Sequence, residues 1–217
     1  MEYRIIVGIS GASGIILAYK TIVALVEAGY AVELVISSAA LYTAAHELGR
    51  EYATAKRFVQ MLPNPCVHKV RLHSIHDIGA AIASGSYPVE GMVIVPCSMA
   101  TLAAVAYGFA DNCLRRAADV TLKEKRPLIL VPREAPLSII HLENMLKVAQ
   151  AGGVILPPVP AWYNRPESLE DIEGWIVAKI LDQLGIKTAQ LPQWKSTNIP
   201  KSVEESRLGL CQSLGLE

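Results

Sequence analysis

The fold of this chain is decided by residues 4–14, which read Arg4-Ile5-Ile6-Val7-Gly8-Ile9-Ser10-Gly11-Ala12-Ser13-Gly14. The apolar run from Arg4 to Ile9 predicts a buried strand. Small residues follow it, and residues 15–28 then predict a helix that Gly29 ends. The stretch therefore predicts a strand, a tight turn and a helix in direct succession, which is the first unit of a β-α-β fold.

The same alternation of strand and helix continues along the chain. Strands are predicted at 31–37, 91–96, 126–131 and 153–156, and helices at 39–48, 98–106, 112–124, 137–151 and 168–184. Residues 49–90 predict short helices with one weak strand near Val70. The alternation favours a Rossmann-like (flavodoxin-like) α/β fold, a doubly wound parallel sheet in a three-layer α/β/α arrangement. We expect one domain over residues 1–194 and a C-terminal tail over 195–217, with 191–194 as an apolar anchor.

Composition excludes several classes of protein. The 217 residues are 52% hydrophobic and 18% charged, with 20 basic and 20 acidic residues, so nothing indicates a nucleic-acid partner. Apolar runs stop well short of the roughly 18 residues that a membrane span needs. The first residues lack a signal-peptide layout, so the cytoplasm is the expected location. The cysteines are scattered without CxxC spacing, which favours reduced structural thiols and no metal site.

The glycine-rich turn after the first strand indicates a nucleotide site. Its backbone can approach a ligand closely, and amides at the start of the next helix are expected to face an anion. The dinucleotide fingerprint is not met, because Ser10 replaces its middle glycine, and the second strand ends in Ser37-Ser38 without an acidic residue. FMN therefore fits better than NAD. The alternative is a tight turn that binds nothing.

Two further strand ends carry polar residues. Ser98 and Thr101 lie one turn apart after residues 91–95, and they suit either a phosphate or flavin edge or ordinary helix capping. Arg133 and Glu134 follow residues 127–131 after a single proline, Pro132, and at this strand end they can hold an anion and move a proton. Arg116 and Lys123 share one helical face, which suits a phosphate or solvent equally well.

Together these segments resemble the bacterial flavin prenyltransferases of the UbiX type. The resemblance spans about residues 3–194. It rests on motifs at Gly11–Gly14, Pro96–Leu102, Arg115–Val120, Arg126–Met145 and Val154–Tyr163. The run from Pro132 to Met145 is the most specific of them.

The resemblance implies an activity and its partners. Reduced FMN receives a dimethylallyl group from dimethylallyl phosphate at N5 and C6, without magnesium, and the prenylated FMN serves a UbiD-type decarboxylase. The resemblance also implies a homo-oligomer, commonly a dodecamer, with active sites at subunit junctions. Family members often carry arginine where this chain has Lys179.

The resemblance also assigns residues to roles. The implied FMN contacts are Gly11, Ala12, Ser13, Ser37, Ser98, Met99, Ala100, Thr101 and Arg133. The implied prenyl-phosphate site is Arg116, Lys123, Glu134, Tyr163 and Lys179. The implied catalytic residues are Ser13, Glu47, Glu134, Lys123 and Tyr163, and Trp194 is a candidate to stabilise an allylic cation.

Two other functions stay open on the sequence. An FMN-dependent decarboxylase of the same superfamily would share the flavin loops, but four cations would be excessive for one carboxylate. A non-catalytic FMN carrier of the flavodoxin type would be expected to be acidic, whereas this chain is neutral.

Overall fold

The protein is described by a computed structural model over residues 2–187. Six parallel strands form one sheet in the order β3-β2-β1-β4-β5-β6. They are β1 Arg4–Ile9, β2 Ala31–Ile36, β3 Val70–His73, β4 Gly91–Cys97, β5 Leu128–Pro132 and β6 Val154–Ile155. The expected doubly wound parallel sheet is confirmed.

Helices cover both faces of this sheet. They are α1 Ile15–Glu27, α2 Ser38–Glu47, α3 Ala55–Gln60, α4 Cys66–Lys69, α5 Met99–Ala106, α6 Cys113–Lys123, α7 Ile139–Gln150 and α8 Leu169–Gln183. One buried cluster joins α1, α2, α3, α4 and α8 to the first face, and a second cluster joins α5, α6 and α7 to the other. The chain is therefore a three-layer α/β/α sandwich.

The predicted elements all form, with boundaries that shift by a residue or two. The fifth strand begins at Leu128, two residues after the predicted start, because the backbone of Arg126 still hydrogen-bonds to the end of α6. Its amide donates to the Thr121 carbonyl, and its guanidinium donates to the carbonyls of Gly85 and Tyr87. The predicted weak strand near Val70 is β3.

Local side-chain bonds set the helix starts. The Ser168–Asp171 capping box predicted for α8 is present. In α7, Ser138 is the N-cap and His141 completes a second capping box, so the helix begins at Ile139 and not at the predicted residue 137. A histidine in the third position is not part of the usual capping signature, so the sequence pattern does not predict this capping box.

Strand β2 contains a buried carboxylate that the apolar pattern did not single out. Glu33 is 2% exposed, and its carboxylate accepts hydrogen bonds from Tyr87 at 2.6 Å and contacts His73 Nε2 at 2.5 Å. Burial would raise the pKa of Glu33, but the bonds from His73 and Tyr87 outweigh it and lower the pKa below its usual value. Arg4 Nε lies 3.6 Å away.

The described cysteines are structural. Cys66, Cys97 and Cys113 are buried free thiols, and burial raises the pKa of each, that of Cys113 to about 11. Thiols held protonated in this way are poor nucleophiles. Within residues 2–187, no helix is long and apolar enough to cross a membrane. Cys211, the 191–194 anchor with Trp194, and the 195–217 tail lie outside the described residues.

Candidate active site

The candidate site lies where the strand order reverses. The chain runs outward from β1 through β2 to β3, and then restarts at β4 on the other side of β1. In such a sheet the crevice outside the carboxyl ends of the two central strands is open to ligands. Here the β1 and β4 ends present the glycine-rich turn and Ser98, flanked by Ser37 after β2 and Arg133 after β5.

Ser10 fastens the two central strand ends to each other. Its hydroxyl accepts a hydrogen bond from the Ser98 amide at 2.8 Å and donates to the Pro96 carbonyl at 3.3 Å. The Ser10 amide donates to the same carbonyl at 3.2 Å. The residue is 1% exposed, so these bonds form away from water and hold the crevice in one shape. Ser10 was not predicted as a site residue, although a serine directly after a buried strand at the reversal point is a usable signal.

Ser98 and Thr101 form the next part of the crevice wall. Ser98 Oγ accepts from the Thr101 amide at 3.3 Å and is therefore the N-cap of α5, and it lies 3.1 Å from Thr101 Oγ1. Met99 and Ala100 occupy the first turn of α5, where Ala100 is exposed. The capping interpretation of Ser98 is confirmed, and the flavin contacts of this segment stay a prediction.

Gly11 brings the turn against α2. A Cβ built on Gly11 would lie 2.4 Å from the Ala39 Cβ, so only glycine allows this approach. No described residue accepts a hydrogen bond from the Gly11 or Ser13 amide, while the Ala12 amide donates to the Ser10 carbonyl at 2.8 Å. Two unpaired amides and the Ser13 hydroxyl are suitable donors for an anionic or flavin ligand, so the residues present fit FMN.

Glu47 occupies the start of α1. Its carboxylate accepts from the Gly14 amide at 3.1 Å and from the Ile15 amide at 2.9 Å, and the helix has no other side-chain cap. The first helix amides face an anion, as expected, but that anion is a carboxylate supplied by α2 and not a bound ligand. Glu47 lies beside Ser13 as predicted, and its catalytic role stays a prediction.

The neighbouring strand ends complete the open side of the crevice. Ser37 is the N-cap of α2, since its Oγ accepts from the Ala40 amide at 3.1 Å. The Arg133 amide donates to the Cys97 carbonyl at 3.3 Å, which fixes the backbone beside β4. The side chains of Arg133 and Glu134 are exposed, and no described residue forms an ion pair with either.

The residues implied for the prenyl phosphate are scattered in a single chain. Lys123 ends α6 and pairs with Glu124, whereas Lys179 is on α8 and pairs with Asp182 at 2.8 Å. Because α6 and α8 cover opposite faces of the sheet, these two lysines do not meet within one copy.

Two further implied phosphate residues lie on α6 and in the segment after β6. Arg116 pairs with Asp119 at 2.7 Å on α6, and Tyr163 lies in a single 3₁₀ turn over Trp162–Asn164, 58% exposed. Arg116, Lys123 and Lys179 each form an ion pair with an acidic residue close in sequence. Their common role stays a prediction.

Comparison with known proteins agrees with this fold. Residues 1–181 match the model of the Flavoprotein family. A flavin prenyltransferase UbiX from Chlamydia pneumoniae is 50% identical over 193 residues, which cover 89% of this chain and 98% of that protein. The chain therefore belongs to the Flavoprotein family and, within it, to the UbiX-type flavin prenyltransferases.

Two solved structures of similar proteins share the whole fold. AnUbiX, in complex with FMN and dimethylallyl pyrophosphate, superposes with a TM-score of 0.80 at 41% identity, covering 90% of this chain and 99% of that one. A dodecameric FMN-dependent UbiX-like decarboxylase from Escherichia coli O157:H7 superposes with a TM-score of 0.79 at 41% identity. It covers 89% of this chain and all of the other.

Proposed function

We propose that the protein joins the dimethylallyl group of dimethylallyl phosphate to N5 and C6 of reduced FMN. The observation that carries the proposal is the crevice at the β1–β4 reversal, where a serine-fastened turn with unpaired amides lies next to the Arg133-Glu134 strand end. A mononucleotide site beside a cation and a proton-transfer group is what this reaction needs. When bound, reduced FMN supplies the nucleophilic atoms.

FMN is held by the residues around that crevice. The Gly11 and Ser13 amides, the Ser13 hydroxyl and the first turn of α5 offer donors, and Ser37 borders them from β2. Arg133 adds a cation with a planar, five-donor head, which suits a phosphate or a flavin carbonyl. Gly11 keeps the turn close to α2 and so leaves room on the ligand side.

The chain's charged residues act on the leaving phosphate. Breaking the C–O bond of dimethylallyl phosphate leaves negative charge on the phosphate, which Arg116, Lys123 and Lys179 stabilise electrostatically. Tyr163 donates a hydrogen bond to it, and the N5 proton leaves as the N5–carbon bond forms. Ring closure then needs one proton added to the alkene of the transferred group and one proton lost from C6, and Glu134 exchanges these protons with the released phosphate. Lys179 holds the phosphate as a point charge, without the two-pronged geometry of arginine.

The residues of the phosphate site come from more than one copy of the chain. Because α6 and α8 lie on opposite faces of one sheet, a homo-oligomer, of dodecameric form as in the similar E. coli protein, supplies the missing side chains. The prenylated product passes to a UbiD-type decarboxylase, and the protein works in the cytoplasm.

The test is an anaerobic assay of the full chain with reduced FMN and either dimethylallyl phosphate or the pyrophosphate, read by mass spectrometry. We expect a flavin heavier by one C5H8 unit, with the monophosphate as the better donor. Release of CO2 from an aromatic or cysteinyl carboxylate without any flavin adduct would instead support the decarboxylase. Tight FMN binding without either product would support a carrier.

A further inference from the structure

His141 takes part in the capping box that starts helix α7. Its backbone amide donates to Ser138 Oγ at 3.2 Å, and its Nδ1 accepts from the Ser138 amide at 3.3 Å. An imidazole nitrogen accepts a hydrogen bond only when it carries no proton, so His141 acts here as a neutral ring with its proton on Nε2. The usual residue at this position is glutamate or glutamine, which supplies the same kind of acceptor.

This capping box is one of two anchors for the segment that carries Glu134. At the start of the segment the Arg133 amide donates to the Cys97 carbonyl at 3.3 Å, and at its end the box fixes Ser138. The segment between the anchors is exposed throughout, so little packing restrains it. In the described part of the chain, the side chain of Glu134 forms only a local hydrogen bond, in which it accepts from the Ala135 amide at 3.1 Å.

The position of Glu134 matters because proton transfer depends on close geometry. A general acid or base acts over about 2.6–3.2 Å, and a displacement of about 1 Å can slow a reaction by about 100-fold. A segment anchored at both ends samples fewer positions than one that has lost its second anchor. Because Ser138 is only a few residues from Glu134 along an exposed stretch, loss of the cap is expected to displace the carboxylate.

We propose that His141 is a positioning residue for Glu134: by holding the Ser138 amide, its Nδ1 fixes the far end of the segment so that the carboxylate lies at the crevice. This inference rests on the role of Glu134 in the proposed function and adds a residue that acts through the backbone. The ring does not itself take a proton from the ligand, because the nitrogen that carries no proton is engaged by the Ser138 amide. An uncharged acceptor of similar reach, such as glutamine, should therefore replace it.

The test compares His141→Ala, which removes the acceptor, with His141→Gln, which keeps one, in the full chain. We expect His141→Ala to lower kcat for prenylation by about tenfold while the FMN affinity stays within about twofold of the wild type. His141→Gln should recover kcat to within about twofold of the wild type. A glutamine variant as slow as the alanine variant would overturn the proposal, and so would wild-type turnover in His141→Ala.

The matched control is Thr54→Ala, which removes a cap from α3, a helix without any implied site residue. Thr54 Oγ1 accepts from the Arg57 amide at 3.3 Å, so the variant loses a side-chain cap as His141→Ala does. It should lower the melting temperature but keep the wild-type kcat. If Thr54→Ala slowed turnover as much as His141→Ala, the effect would be one of general stability and the proposal would be overturned.

Hydrogen exchange of the peptide that contains residues 133–141, read by mass spectrometry, tests the proposal without turnover. We expect the amides of this peptide to exchange about fivefold faster in His141→Ala than in the wild type, and at the wild-type rate in His141→Gln. Equal exchange in His141→Ala and the wild type would overturn the proposal. Faster exchange that glutamine reverses supports the anchoring role even if the wild type forms no prenylated flavin, so failure of this inference and failure of the proposed reaction are distinguishable.

Discussion

The two halves of the candidate site differ in how completely one chain builds them. The flavin half is held by hydrogen bonds within one chain: Ser10 joins the β1 and β4 ends, Ser98 caps α5, and Glu47 caps α1. In the phosphate half Glu134 is exposed, and the basic residues Arg116, Lys123 and Lys179 each pair with an acidic residue close in sequence.

The difference between the two halves follows from what each ligand needs. A flavin is large and needs a shaped, pre-formed surface, which loops at a sheet reversal supply within one chain. A leaving phosphate needs several cations at one point, and holding them together permanently in a single chain would cost repulsion. The proposed homo-oligomer is expected to bring these cations together around the flavin.

The largest effect is expected in the phosphate half, from Glu134→Gln. Loss of the proton acceptor should slow prenylation by about 10²–10⁴-fold. FMN affinity should stay within about twofold, because the flavin half is built without this residue. Glu51→Gln, an exposed carboxylate in another part of the chain, is the matched control. Anaerobic turnover and an FMN titration measure the two quantities, and equal turnover in the two variants would remove Glu134 from the chemistry.

The next largest effect is expected on the stability of the sheet that carries both halves, from Glu33→Gln. The variant should lose about 3 kcal/mol of unfolding free energy at pH 7, since His73 and Tyr87 lose a buried charged partner. Because folding lowers the pKa of Glu33, its stabilisation is full above the unfolded value of 4.5 and is lost as the pH falls through the folded value. Urea unfolding between pH 7 and pH 3 should therefore show that the difference in unfolding free energy between Glu33→Gln and the wild type shrinks as the pH falls. A difference in unfolding free energy that does not change with pH would contradict the stabilising role of the Glu33 carboxylate.

A moderate effect is expected in the flavin half from Gly11→Ala. The added methyl would lie 2.4 Å from the Ala39 Cβ, so the turn must move, at a cost of about 1–3 kcal/mol and about tenfold in FMN affinity. Gly174→Ala in α8 is the control, because its Cβ meets no atom within 4 Å and alanine favours a helix. Calorimetric melting and FMN titration compare the two variants, and unchanged FMN binding in Gly11→Ala would place the flavin elsewhere.

The smallest effect is expected from substitutions of Glu47, which distinguish its role as the cap of α1 from its implied catalytic role. Glu47→Ala removes the cap of α1 and should destabilise the fold by about 1 kcal/mol, while Glu47→Gln keeps an oxygen acceptor and should cost less. Thermal unfolding measures both. If Glu47→Gln retains stability but loses turnover, the carboxylate also takes part in the chemistry; retained turnover would leave it as a cap alone.

The sequence was sufficient to predict the fold and to place the candidate flavin residues at neighbouring strand ends. The apolar runs that form β1, β4 and β5 and the polar residues directly after them could be read from local pattern, because strand ends in a parallel sheet meet at one edge. The Ser168–Asp171 capping box is likewise local in sequence.

What could not be predicted depends on contacts between distant residues. The Glu47 cap lies 32 residues from Ile15 in the sequence, and the Glu33–His73–Tyr87 cluster joins β2, β3 and a loop. No short sequence pattern therefore predicts either of them. The separation of Lys123 from Lys179 follows from the side of the sheet that each helix covers, which depends on topology and not on composition.

The most direct test of the central claim is the product of reduced FMN and dimethylallyl phosphate made anaerobically by the wild-type oligomer. We predict a flavin heavier by one C5H8 unit from the wild type. We also predict the same flavin from a mixed oligomer of Glu134→Gln and Lys179→Ala chains, although each variant is inactive alone, because intact sites form where the two chains meet. Recovery of unmodified FMN from the wild type would contradict the proposed reaction. Wild-type activity without any rescue in the mixture would contradict a site shared between copies.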